Sequence, residues 1–301
     1  MKTKSRVLIV AIPLVFLVTV ALMGFFLARM METKHPVLLS RGRKIGIIKV
    51  EGVIRGSEAL IKQIKDFRDN SGIGGIILRI NSPGGGVAPS QEIYEEVRKL
   101  SKRKPVFTSM GGVCASGGYY IAAASQVIFA NPGSVTGSIG VIVGFSNLNE
   151  LFRKIGIKSY IIKSGKFKDL GYPTRDMTPE DIHVLQTVVD SIYRQFVEAV
   201  AKGRNLPVEK IKALADGRVF SGLQAKELGL VDRIGNLEDT IAFMAKRLGI
   251  RGKPVVVYSK SPTEKLWERL FKSLLGKWSR PLLGSVDLSP FNYLWPLQAG
   301  Y

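Results

Sequence analysis

Residues 111–141, GGVCASGGYYIAAASQVIFANPGSVTGSIGV, leave a chain few ways to fold. Ser116 sits among small residues, with Cys114 and Ala115 before it and Gly117 and Gly118 after it. An apolar, alanine-rich, uncharged run follows at 119–124. This pattern predicts a strand ending near Met110, a tight turn, and a buried helix that begins at or just after Ser116. A hydroxyl placed there faces the positive end of a helix dipole. Glycine neighbours let another backbone come close and leave N–H groups able to hold an oxyanion. A glycine-rich packing turn with serine as the helix N-cap accounts for the same letters at least as well.

The flanking sequence extends the pattern. Strands are expected at 44–50 (KIGIIKV), 75–80 (GIILRI) and 105–110, rich in β-branched residues. Between them, Leu60, Ile61, Ile64 and Phe67, then Ile93, Val97 and Leu100, recur at helical spacing. Asn81-Ser82-Pro83-Gly84-Gly85-Gly86 reads as a turn that no regular element continues through. The alternation implies an α/β fold with a largely parallel sheet and right-handed crossovers. Both glycine-rich turns then fall at carboxyl ends of strands, where sites gather in such sheets. Further strands are expected at 127–130, 139–143, 159–162 and 254–258, and helices near 149–155, over 179–202 with Thr178 as cap, at 222–228 after Ser221, and at 236–248.

The chain has 301 residues, enough for a sizeable core, and its 46% hydrophobic content is not that of a disordered chain. Its net charge of +20 comes from scattered basic residues rather than blocks. That distribution suits a basic surface near a membrane; no nucleic-acid motif accompanies it. The single cysteine, Cys114, excludes an internal disulfide, and no metal-type spacing is present, so neither metal nor cofactor is expected. A small buried filler is the reading of Cys114.

Residues 7–28 carry no charge, follow the basic residues Lys2, Lys4 and Arg6, and are long enough to span a bilayer as a helix. No small-residue cleavage site closes them, so 1–29 reads as a retained signal-anchor and 30–43 as a linker. Basic residues flank both ends, which leaves the orientation open. At the other end, 261–301 changes character. Leu266, Trp267, Leu270, Phe271, Leu274 and Trp278 share one helical face, ringed by Lys265, Arg269, Lys272 and Lys277. Such a face suits a membrane interface or a protein surface equally. The apolar end, 290–301, is expected to dock near Ser116 or on a neighbouring protomer and restrain access.

If Ser116 is a nucleophile, it needs a base. The histidines are two, His35 and His183, and His183 falls on a helix surface. Ser116 is not in G-x-S-x-G, because Cys114 takes the first glycine position. Ser101 to Lys104 matches S-x-x-K only by chance, in a charged loop. Residues 163–166 lack the first glycine of a phosphate loop. A lysine is the more plausible base. Lys163, Lys166 and Lys168 follow an apolar stretch, where burial or a neighbouring cation would favour a neutral amine. A solvated basic loop explains the same lysines on composition alone.

Five ordered segments change that balance: INSPGGG at 80–86, GGVCASGGYYIAAAS at 111–125, GSVTGSIGV at 133–141, KSGKFKD at 163–169 and ADGRVFSGLQAKELGLVD at 215–232. Together they resemble the signal peptide peptidase A family in its short, single-repeat form, over roughly 44–248. The first and last also resemble the Clp protease proteolytic subunit, which shares the crotonase-like fold. The resemblance implies layered parallel sheets with helices, a catalytic domain at 44–260, and a membrane-anchored serine-lysine peptidase. It places the nucleophile on Ser116, the general base on Lys168, a lysine-orienting hydroxyl on Ser138, and oxyanion donors on the amides of Gly85 and Gly117, the first of these uncertain by one residue within Gly84 to Gly86. It further implies peptide substrates such as remnant signal peptides, a lipid membrane partner, a catalytic domain on the extracytoplasmic side of the cell membrane, and a homo-oligomer. One repeat per chain implies a ring whose sites combine the serine of one protomer with the lysine of the next, and the resemblance to short family members implies an octamer. Two other readings stay open: crotonase-fold acyl-thioester chemistry with bound coenzyme A, and a non-catalytic membrane scaffold.

Overall fold

The computed structural model describes residues 43–259. The anchor expected at 1–29, all but the last residue of the linker at 30–43, and the helix and tail expected at 261–301 lie outside the described residues. Among the described residues, no helix is long and apolar enough to cross a membrane.

β1 (Lys44–Ile54), β2 (Ile73–Gly85) and β3 (Val106–Ala115) lie side by side and parallel. Parallel neighbours need crossovers, and α1 (Glu58–Asp69) and α2 (Val87–Ser101) supply them. The chain continues through α3 (Gly117–Ala122), β4 (Val127–Ala130), β5 (Val135–Gly137), α4 (Asn149–Lys154), α5 (Pro179–Arg204), α6 (Val208–Lys212), β6 (Val219–Ser221), α7 (Gly222–Glu227), β7 (Arg233–Ile234), α8 (Leu237–Leu248) and β8 (Val256–Tyr258).

Both faces of the central strands are covered, which is why they read as near-continuous apolar runs. Ile48, Val50, Ile76, Leu78 and Ile80 pack with Ile64 and Phe67 of α1 and Ile93, Val97 and Leu100 of α2. On the opposite face Ile45, Ile47, Ile77 and Phe107 meet Ile241, Met244 and Ala245 of α8. Each such side chain contributes about 1.5–3 kcal/mol on burial, so the first three strands and these three helices form a stiff platform.

The expected layered sheets resolve, among the described residues, into one eight-stranded sheet that forks. The first half of β3 pairs with β4, Phe107 beside Val127. Its second half pairs with β5, Ala115 beside Gly137. β5 and β6 are antiparallel; the other pairings are parallel.

Two expectations are corrected. Residues 81–86 do not end the strand; β2 runs through them to Gly85, with Ser82 beside Cys114 and Gly85 beside Ile54. The ladder bends to allow this. Register shifts interrupt both pairings of β2 here, and Pro83, which has no N–H to give, falls within the irregular stretch. Side chains stand in for ladder partners: Gly84 N donates to Ser82 Oγ at 3.1 Å and Val113 N to Asn81 Oδ1 at 3.1 Å. Second, 139–143 and 159–162 form no strand. A strand needs an edge to pair with, and among the described residues none meets them. Ile142 is 98% exposed and Ile162 102%, so the apolar pattern is present and its partner surface is not.

α5 links this region to the core. Thr178 and Asp181 close a capping box at its start, with Asp181 N donating to Thr178 Oγ1 at 3.1 Å and Thr178 N to Asp181 Oδ2 at 3.0 Å. Its second half buries Phe196, Val197, Val200 and Ala201, while Ile182 and Val188 in the first half are exposed. Near its end Gly203 lets the helix rest on the turn after α3: a Cβ there would lie 2.0 Å from the Ala123 carbonyl oxygen. Alanine normally favours a helix over glycine by about 1 kcal/mol. At this position backbone collision wins, and Gly203→Ala should lower Tm by roughly 4–8 °C. Calorimetry showing an unchanged or raised Tm would contradict this packing.

Candidate active site

Ser116 joins β3 to α3 with φ 51° and ψ −122°. Among the described residues only Ser116, Ser138 and Asn205 carry positive φ without being glycine. Asn205 caps α5 in the left-handed form that asparagine tolerates. The two serines have no such excuse, and strain of about 1–3 kcal/mol per residue persists only where surroundings enforce it. They are also neighbours. The β3–β5 ladder sets Ala115 beside Gly137, so Ser116 and Ser138 leave adjacent strands at the same level. Backbone bonds hold both turns: Ser116 N donates to Gly137 O at 2.9 Å and Ser138 N to Arg218 O at 2.8 Å.

The hydroxyl of Ser116 makes no capping bond to α3. Ser116 therefore occupies the N-cap position without its side chain acting as the cap. The half-buried side chain is instead held by its backbone and left without a hydrogen-bond partner among the described residues.

Around it the glycines are packed to their limit. A Cβ on Gly84, whose φ is 104°, would lie 2.8 Å from both the Gly117 nitrogen and the Ser116 Cβ. A Cβ on Gly117 would lie 2.4 Å from Ser90 Oγ and 3.4 Å from the Gly85 nitrogen. The end of β2 and the start of α3 thus converge beside Ser116, with the Gly85 and Gly117 amides nearby. Gly117 is the first residue of α3, so its N–H has no acceptor within the helix. Ser90 was missed by the sequence reading; it is buried in α2, donates to Gly86 O at 2.8 Å, and seats α2 against this corner. Cys114 is fully buried, and that burial pushes its thiol pKa up, which leaves it unreactive.

The three lysines separate by environment. Lys163 Nζ pairs with Asp169 Oδ1 at 2.7 Å and also donates to Lys166 O at 2.9 Å. Lys166 pairs with Glu180. Lys168 lies exposed in a turn, its backbone N–H donating to Gly165 O at 3.2 Å and its side-chain nitrogen forming no hydrogen bond or ion pair among the described residues. No hydrogen bond joins it to Ser116 or Ser138. The structure therefore gathers Ser116, Ser138, Gly85 and Gly117 at one corner and leaves Lys168 on a separate loop. His183 is exposed on α5, as its sequence position implied.

A second group escaped the sequence reading. Arg175 grips buried Asp169 with Nε and Nη2, each at 2.9 Å, and its Nη1 pairs with Asp181. Hydrogen bonds from Arg175, then from Lys163, hold the Asp169 carboxyl far below its usual range. Those from Arg175, then from the Thr178 backbone, lower Asp181 to about 2. Asp169 closes the segment 163–169 and was the available signal; Arg175, in a stretch without motif, gave none.

Comparison with known proteins gives matches to two family models and to three named relatives. The model for Peptidase family S49 matches residues 98–251, and the model for Clp protease matches 39–134. A Synechocystis protein that carries the name of a protease is 45% identical over 217 residues, 71% of this chain and 78% of that one. An Enterococcus faecium protein bearing the name signal peptide peptidase SppA is 41% identical, over 67% of this chain and 59% of its own length. The chloroplastic serine protease SPPA of Arabidopsis thaliana is 35% identical over 70% of this chain and 31% of its own.

Two outcomes follow from the geometry. Ser116→Gly removes the strain at a cost of about 0.5–1 kcal/mol in backbone entropy, so Tm should rise by about 2–5 °C, with no such gain in Ser116→Ala. Equal Tm values for the two variants would contradict a strained serine. Because the Asp181 pKa is depressed, its stabilisation is present above the unfolded carboxylate value of about 4 and is lost as pH falls toward about 2. Urea unfolding should lose less stability across that window in Asp181→Asn than in the unmodified chain.

Proposed function

We infer the course of the reaction from one premise: the chain belongs to peptidase family S49 and is a serine peptidase of that family. The observation that carries the assignment is Ser116 itself, held at a positive φ with an unpartnered hydroxyl beside the amides of Gly85 and Gly117. The Ser116 Oγ attacks a peptide carbonyl while the neutral amine of Lys168 takes its proton. The carbonyl oxygen gains negative charge and is held by the Gly85 and Gly117 amides; one such donor is worth about 2.7–4 kcal/mol. The lysine then gives its proton to the leaving amine, and the amine departs from an acyl ester on Ser116. A water that loses a proton to the same lysine breaks the ester and frees the serine. Ser138, at the level of Ser116, orients the lysine.

Lys168 is preferred among the lysines because its side chain forms no ion pair among the described residues, whereas Lys163 is tied to Asp169 and Lys166 to Glu180. Its place on a loop without a bond to Ser116 supports a site completed between protomers. The exposed Ile142, Tyr160 and Ile162 are side chains that a neighbouring copy would cover. A homo-oligomer, an octamer in this reading, would assemble the dyad from adjacent chains. Anchored by 1–29, the assembly would sit on the extracytoplasmic face of the cell membrane and degrade remnant signal peptides or other apolar peptides.

The test is fluorophosphonate labelling and peptide cleavage by detergent-solubilised protein. Ser116→Ala and Lys168→Ala should both lose cleavage, and Ser116→Ala should lose labelling. Labelling that survives in Ser116→Ala would remove the nucleophile assignment, and coenzyme A binding in its place would favour thioester chemistry. Mixing the two inactive variants should restore some cleavage; no restoration, with subunit exchange verified, would confine each site to one chain.

A further inference from the structure

The loop that carries Lys168 has little structure of its own. Residues 164–172 contain no helix or strand, and the backbone bonds within them, Lys168 N to Gly165 O, Leu170 N to Phe167 O and Tyr172 N to Asp169 O, span 3.1–3.2 Å. A base on such a loop would wander over distances that matter: misplacement by about 1 Å can cost about a hundredfold in rate. The residue that follows Lys168 is the exception. Asp169 points inward with its side chain 6% exposed, and Arg175 meets it with two parallel N–H···O bonds, a geometry that fixes direction as well as distance. The third arm of the same guanidinium reaches Asp181, which is already committed to the capping box of α5. That helix is seated in the core by Phe196, Val197 and Val200. One planar cation therefore connects the backbone next to Lys168 to the rigid part of the domain.

We propose that Arg175 is a positioning residue for the reaction: by bridging Asp169 and Asp181 it fixes the turn that presents Lys168. The bridge has a second effect. Asp169 is occupied by Arg175 and Lys163, so this carboxylate, adjacent in sequence, is not bonded to the Lys168 amine. This inference rests on Lys168 as the base, and the experiment keeps the two apart.

The full-length protein in detergent is compared with Arg175→Met, Arg175→Lys, Lys166→Met and Lys168→Ala, following kcat, KM, fluorophosphonate labelling rate and Tm. Arg175→Met should lose about 10- to 100-fold in kcat with KM within about twofold, and labelling should slow in parallel. Millimolar guanidinium should restore part of kcat to Arg175→Met and leave Lys168→Ala inactive. Arg175→Lys supplies a point charge without the planar fork, so it should fall between Arg175→Met and the unmodified chain. It decides the matter if Arg175→Met does not fold. Lys166→Met, which loses only the exposed pair with Glu180, should keep kcat within about twofold. Inactive Lys168→Ala beside fully active Arg175 variants would overturn the positioning role alone, as would kcat loss that follows Tm and resists guanidinium. Full activity in Lys168→Ala would overturn the base assignment and this inference with it.

Discussion

The site depends on a close approach of two backbones. The last residues of β2 and the first of α3 meet so tightly that a methyl group on Gly84 would overlap the Gly117 nitrogen and the Ser116 Cβ, while one on Gly117 would overlap the Ser90 side chain of α2. Such contact requires that the strands carrying both segments be parallel, adjacent and immobile. The apolar faces of β1, β2 and β3, covered on both sides, provide that immobility. The strained backbone of Ser116 is what the platform imposes at its edge. A looser sheet would let φ relax and the hydroxyl would find a cap to bond.

The parts of the fold governed by local pattern were legible in the sequence. The strands expected at 44–50 and 75–80 announced themselves as apolar runs, and the expected caps Thr178 and Ser221 each close a capping box. What was misread has a common cause in long-range partners. The glycine-rich stretch after Ile80 looked like a turn because its hydrogen-bond partners, Ile54 and Val113, come from other strands. The alternation at 139–143 and 159–162 is a correct statement about side chains that lacks a ladder to join. Arg175 was invisible for the same reason. An isolated arginine in a polar loop has no signature until folding sets Asp169 and Asp181 on either side of it.

At the site, the small-residue setting singled out Ser116 only as one of two readings, and the family resemblance added Ser138, Gly85 and Gly117; the fold gathers these four at one corner. Composition could not separate three nearby lysines. Their ion pairs do, since two are tied to acidic partners and one is not.

The fork in β3 has a consequence for how the chain can change. The first half of the strand, paired with β4, belongs to the buried platform, while the second half, paired with β5, belongs to the corner that holds Ser116. One continuous backbone thus serves two masters with separate neighbours. Substitutions along β5, β6 and the loops beyond them can reshape what the corner admits without disturbing the layers beneath. The architecture is divided into a buried chassis and an adjustable mouth, and the boundary between them falls within a single strand, near Met110.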